Sequence, residues 1–279
     1  MYIKKILKNN RALYSFFSRS WFSIKRSARI SKVTILNLPN ILSSLTHFKK
    51  NVLVIEVPYG GLGDHLFFSH IPRIAKATKG YDKVYISKVS PIRRSEHIDF
   101  IWGKNPYVDG FTSMPGQVYR GSQLDQMNIL DQVMLFYGLD DGVRFHEPEI
   151  YYKPRILDEY VGKVIFDPNF VTTLNDTLTL ARVTKYLKDN NIKVDMQFKP
   201  RGDCSPLMGC EYYIEDKSFE EFCNIIYSCK EIYSYATGTA VLAAALGKSG
   251  NVFFHDEVKK EFLFSKLNKY INLQTGKHD

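Results

Sequence analysis

Acidic residues are missing from the first 50 positions of this 279-residue chain, which hold 11 Lys and Arg; the first carboxylate is Glu56. Also missing is any unbroken apolar run of the roughly 20 residues that a membrane-spanning helix requires, and no apolar core with a cleavage site marks a signal peptide. Cysteine is scarce. Cys204, Cys210, Cys223 and Cys229 form two C-x5-C pairs, a spacing unlike the short knuckles of structural zinc. The second pair falls on an expected helix, where a six-residue separation points the thiols to different sides. Disulfides are not expected in a chain lacking a secretion signal. No Gly-Lys-Ser/Thr follows the glycine turn at Gly60–Gly63, which excludes a Walker phosphate loop there, and there is no internal repeat or low-complexity run.

Charge is therefore lopsided. Taking those 11 from the 38 basic residues in all leaves 27 against 29 acidic ones, so a near-neutral body carries a basic arm. On a helix Ile3, Ile6, Leu7, Leu13, Tyr14, Phe17, Trp21 and Ile24 gather on one side, with Lys4, Lys5, Lys8, Arg11, Lys25 and Arg26 largely away from it. A basic face opposite an apolar one bearing Trp and Phe suits a helix lying in an anionic membrane surface. Residues 1–32 are expected to make that contact, which implies a cytoplasmic protein peripheral to the inner face of the membrane. A transit peptide, or an arm packed on its own globule, has similar composition. Nucleic acid is not an expected partner, since the body has no second basic stripe and no binding motif.

The body opens with the most telling segment. Asn51 to Val57 is a short β-branched run suited to a parallel strand buried on both faces. Gly60, Gly61 and Gly63 follow, then a helix with Asp64 in its first turn and Leu66, Phe67, His70, Ile71, Ile74 and Ala75 at helical spacing. Pro72 is expected to kink or shorten that helix. Glycines here let another molecule approach the backbone closely. A Rossmann dinucleotide fingerprint fails because Leu66 stands where glycine or alanine belongs, and no acid ends the strand Lys83 to Ile86 for a ribose.

Further along, a helix is expected from about Leu124 to Tyr137, stopped by Gly138, and Pro148 and Pro154 bracket a linker. The alternation then resumes. Val164 to Phe166, Lys193 to Phe198, Tyr212 to Ile214 and Glu231 to Tyr235 read as strands, and Thr177 to Lys188 and Ala240 to Leu246 as helices. Ser218 to Ser228 is a third helix, opened by a Ser218/Glu221 capping box. The expected architecture is α/β: a basic arm over 1–50, a Rossmann-like lobe over 51–153 and a second over 154–279, facing a central cleft. In the second lobe Thr237, Gly238 and Thr239 offer hydroxyls and the free N–H groups of a helix start to a diphosphate. Lys199 and Arg201, leaving a neighbouring strand, can neutralise phosphate charge. Both also read as ordinary features, a capped helix and a solvated loop.

These residues carry a resemblance. The chain resembles the bacterial ADP-heptose:lipopolysaccharide heptosyltransferases, glycosyltransferase family 9, of the two-lobed GT-B architecture. The matching features are the Gly60-Gly61-Leu62-Gly63-Asp64 turn, Asn105-Pro106-Tyr107-Val108-Asp109, Gly138-Leu139 before Pro148, and the segment from Tyr235 to Gly247. The resemblance implies a metal-independent transferase with no cofactor, in surface polysaccharide or lipopolysaccharide synthesis. It implies a nucleotide-sugar donor in the C-terminal lobe and a glycan or glycolipid acceptor in the N-terminal lobe. Asp64 falls on the family's catalytic base, with His65 the alternative on pKa grounds, and Thr237, Gly238 and Thr239 fall on its phosphate-binding turn. Arg93 and Arg94 are candidates for an anionic acceptor. Ala236 stands where the family has Asp, and Val241 or Leu242 where it has His. The glycine turn is also similar to the Gly-Gly-Leu-Gly-Asn turn of fucosyltransferases, so the donor sugar stays open. A binding protein without catalysis is the reading from another class.

Overall fold

The computed structural model describes residues 26–29, 51–119, 121, 127–170, 177–215, 218–254 and 262–273. Two parallel sheets form two α/β lobes. The first contains β1 (Val52–Glu56), β2 (Lys83–Ser87), β3 (Gly110–Thr112) and β4 (Gln117–Val118), in the order β3-β2-β1-β4. In β1 Ile55 is fully buried and Leu53 nearly so, as its β-branched run requires.

The helical pattern after the glycines splits in two. α1 (Leu62–Leu66) and α2 (Ile71–Thr78) are separated by a turn, with Pro72 in the first turn of α2, where a missing N–H costs nothing. Of the two expectations, a kink or a shortened first part, the structure shows the second: α1 has five residues and ends before Pro72. The stretch Ile98–Gly103 is a π-helical turn that buries Ile101 and Trp102. α3 (Ile129–Phe136) starts five residues later than its earliest apolar position, Leu124, suggests. Asn128 caps it by accepting a hydrogen bond from the Asp131 amide at 2.8 Å, and residues 122–126 lie outside the described set. Gly138 closes it at φ +66°.

The second sheet holds β5 (Val164–Asp167), β6 (Met196–Phe198), β7 (Tyr213–Ile214), β8 (Glu231–Tyr235), β9 (Gly250–Phe254) and β10 (Lys269–Asn272), in the order β10-β9-β8-β5-β6-β7. Its helices are α4 (Thr177–Asp189), α5 (Phe219–Ser228) and α6 (Gly238–Ala245). The order in which strands are added reverses between β5 and β8, and in the first sheet between β1 and β4, while every pair stays parallel. Such switch points are where open α/β sheets bind ligands, beyond the carboxyl ends of the strands.

The lobes are in firm contact. One apolar core runs through both, from Leu53 and Ile86 to Phe198, Phe219 and Leu242, while a second cluster around Phe166, Tyr235 and Phe253 lies within the C-terminal lobe. Phe219 packs on His97 and Phe100, and its amide donates to Glu96 Oε2 at 3.1 Å. Tyr152 Oη donates to Asn224 Oδ1 at 2.8 Å, and the Lys266 amide to Glu147 Oε1 at 2.8 Å.

No helix among the described residues is long and apolar enough to cross a membrane. Of the arm, only 26–29 are described, and they sit on the body. Arg26 Nε and Nη2 reach the Glu56 carboxylate at 2.7 and 3.0 Å, and Nη2 also reaches the Gly116 carbonyl. Glu56 is fully buried at the end of β1. Arg26 therefore departs from its expected place on a membrane-facing polar stripe: a buried carboxylate needs a paired cation.

Candidate functional site

The two glycine-bearing turns meet. A Cβ placed on Gly63 would lie 3.3 Å from Gly238 Cα, and one on Gly238 would lie 3.0 Å from Leu62 Cβ and 3.1 Å from the Gly63 nitrogen. The starts of α1 and α6 thus abut, and the carboxyl ends of both sheets open on one corner. A side chain at either position would press on the other turn, so the close approach here is one between two backbones.

On the N-terminal side, the half-buried Asp64 Oδ2 accepts a hydrogen bond from the Gly61 amide at 2.8 Å. Burial raises its pKa above the usual carboxylate range, against the pull of that amide and of the Arg93 guanidinium. A carboxyl group with a raised pKa is a better proton acceptor once ionised. Arg93 comes from the loop crossing this corner; its amide donates to the Gly60 carbonyl at 3.0 Å. A side chain at Gly60 would press on the Pro91 backbone at 3.1 Å. Both arginines of this loop are exposed; the charge of Arg93 acts on Asp64 and that of Arg94 on His97.

His65 cannot share the role expected of it. Only 2 % of it is exposed, and both ring nitrogens are engaged. Trp102 Nε1, which can only donate, points at His65 Nδ1 at 3.0 Å. That fixes the proton on Nε2, which donates to the Pro91 carbonyl at 3.0 Å. Burial drops its pKa to about 4, so the ring is a neutral strut holding the Pro91–Arg93 loop over the glycine turn. Trp102 went unnoticed in the sequence, where its run has neither helical nor strand periodicity.

On the C-terminal side, Thr237 begins α6, and its Oγ1 is buried with no hydrogen-bond partner among the described residues. Thr239 is committed elsewhere: its Oγ1 donates to Asp167 Oδ2 at 2.5 Å. Asp167 ends β5, and burial raises its pKa despite its hydrogen bonds and the nearby Arg201 charge. Neither Asp167 nor Asn169 was singled out from sequence; the signal available was an acid closing the apolar run Val164-Ile165-Phe166. Lys199 is exposed and paired with Glu215 at 2.5 Å, while the charge of Arg201 acts on Asp167.

The four cysteines are free thiols, with Cys210, Cys223 and Cys229 buried and Cys204 half-buried. Among the described residues, no three His, Cys, Asp or Glu side chains come together in a way that could hold a metal.

No family model matches the sequence, and the search of curated proteins found no match. Solved structures do match. The iron-containing dodecameric glycosyltransferase TibC of enterotoxigenic E. coli H10407 is similar with a TM-score of 0.56 at 16 % identity, over 79 % of this chain and 62 % of its own. The chain thus spans less than two thirds of TibC. A glycosyltransferase family 9 protein of Veillonella parvula matches with a TM-score of 0.55 at 8 % identity, covering 80 % of this chain and 86 % of that one. E. coli ADP-heptose lipopolysaccharide heptosyltransferase II matches with 0.54 at 12 %, covering 81 % and 91 %. The likeness is one of fold: two Rossmann-like lobes arranged as in heptosyltransferase-like glycosyltransferases.

Proposed function

We propose that this chain is a glycosyltransferase that moves a sugar from a nucleotide-sugar donor to a hydroxyl of a glycan or glycolipid acceptor, in bacterial lipopolysaccharide or surface polysaccharide synthesis. One observation carries the reading: Gly63 and Gly238 touch, so the acid of the first lobe and the diphosphate-suited turn of the second open on one corner. Asp64 takes the proton of the acceptor hydroxyl as its oxygen bonds to the anomeric carbon, and the bond from that carbon to the nucleoside diphosphate breaks. The α6 start, with the unpartnered Thr237 hydroxyl and Arg201, steadies the departing phosphates. Arg93 screens Asp64 and orients it. No step in this scheme calls on a metal or cofactor. A half-buried acid with a raised pKa at the corner favours an enzyme over a binding protein. The part of the arm ahead of Arg26 would hold the enzyme at an anionic inner membrane surface near a lipid-linked acceptor.

Two fold neighbours bear ADP-heptose in their names, so ADP-sugars head the test panel, followed by UDP- and GDP-sugars. A thermal-shift panel decides. A ligand at 100 times its dissociation constant stabilises by about 2.7 kcal/mol, and at least one nucleotide sugar should raise the melting temperature by that measure. A panel with no shift at millimolar concentration would end the donor reading.

A further inference from the structure

The two halves of the proposed donor site, the Thr237–Thr239 turn and the Lys199–Arg201 loop, follow different strands and have no hydrogen bond between them among those described. A buried pair of side chains joins them. Asp167 is 3 % exposed, and its two oxygens face in different directions. Oδ2 accepts from Thr239 Oγ1 at 2.5 Å. Oδ1 accepts from the Asn169 amide at 3.0 Å and from Asn169 Nδ2 at 2.8 Å. Asn169 passes the connection on: its Nδ2 also donates to the Lys199 carbonyl at 3.2 Å, and its Oδ1 accepts from the Arg201 amide at 2.7 Å.

We propose that Asp167 is a positioning residue that, through Thr239 and Asn169, locks the α6 start and the Lys199–Arg201 loop into one rigid cradle for a nucleoside diphosphate. The proposal rests on the nucleotide-sugar reading above. A carboxylate is the group this position needs, because it accepts all three hydrogen bonds and must donate none. Its charge would repel a diphosphate if exposed, but it is buried beneath its three donors, and the Arg201 charge offsets it. Thr239 thereby becomes part of the support, and the hydroxyl left for a ligand is that of Thr237.

The test uses the full chain and ADP, with UDP and GDP beside it. Thr239→Val cuts one end of the chain while keeping the side-chain shape. The Arg201 amide, at the other end, should then exchange its hydrogen about tenfold faster, and nucleotide affinity should fall about tenfold. Asn169→Ala should weaken binding similarly, and the double variant should bind about as well as either single one, since a chain once cut is cut. Asp167→Asn serves as the milder break, leaving Thr239 satisfied and the Asn169 donors opposed by an amide. Unchanged Arg201 exchange, or independent and additive losses in affinity, would overturn the lock while leaving the transferase reading intact. Faster exchange with unchanged affinity would overturn the cradle role. Failure of the wild-type protein to bind any of the three nucleotides would bring down the donor reading, and this proposal with it.

Discussion

In the N-terminal lobe the glycine-turn corner is held by neutral rings: Trp102 donates to His65, and His65 donates to the loop that carries Arg93 beside Asp64. In the C-terminal lobe the matching corner is held by a buried carboxylate, Asp167, which gathers Thr239 and Asn169. Both corners lie at the switch point of a parallel sheet, and they touch through Gly63 and Gly238. The difference shows that one topology constrains where a site forms and leaves the chemistry of its support free. It also divides the response to acid. The described histidines, His65, His70, His97 and His146, all belong to the N-terminal half.

Acidification should therefore separate the lobes, and this is the largest effect expected. Burial lowers the pKa of His65 and His97 to about 4, and that of His70 to about 3 with the neighbouring His146 charge contributing. A folded-state pKa below the unfolded value of about 6.5 means that the unfolded chain takes up these protons first. Stability contributed by the three rings is thus present above pH 6.5 and is lost as pH falls towards 4, by at most about 4 kcal/mol per pH unit. His146 has a raised pKa, chiefly from its hydrogen bond to Asp131, and its contribution is already complete below 6.5. Asp64 and Asp167, with raised carboxyl pKa values, gain protons before the unfolded chain does and pull the other way. Amide exchange followed from pH 7 to 4.5 should show β1 and β2 losing protection before β5 and β8. Simultaneous loss would erase the contrast.

Arg26→Ala probes the underside of the N-terminal corner. It leaves the buried Glu56 without its cation, and stability should fall by about 3 kcal/mol; adding Glu56→Gln should recover part of that loss. A truncation that removes Arg26 should behave like the point variant. Denaturant titration reads both, and an Arg26→Ala variant as stable as wild type would make residues 26–29 a passive contact.

Gly238→Val attacks the point where the corners meet. Its side chain collides with Leu62 and the Gly63 backbone, so the expected loss is about 1–3 kcal/mol from overpacking. Full stability combined with lost nucleotide affinity would instead assign the glycine to the ligand.

Much of this was legible because it is local. The strand before the glycine turn, the break at Pro72 and the Ser218 cap, which accepts from the Glu221 amide at 3.1 Å, all follow from residues within one turn of each other. Pairings over longer distances were not. Arg26 and Glu56 are 30 residues apart and Thr239 and Asp167 are 72 apart, and no pattern in the intervening chain announces either contact. His65 shows the same limit from the other side: a histidine beside a glycine-turn carboxylate reads as a base until Trp102, 37 residues on, is seen occupying its Nδ1. The glycines were legible as points of close approach, but what approaches Gly63 and Gly238 was not: it is the other helix start.

The central claim is that Asp64 removes the acceptor proton at the junction of the two corners. It is tested by the release of nucleoside diphosphate from the nucleotide sugar that gives the largest thermal shift, in the presence of bacterial glycolipid, comparing wild type with Asp64→Asn across pH. Wild-type turnover should rise as Asp64 ionises, with its midpoint above the ordinary carboxylate range because burial raises that pKa. Asp64→Asn should lower it by about 10² to 10⁴, with ADP affinity and melting temperature close to wild type. Undiminished turnover in the folded variant would contradict the account.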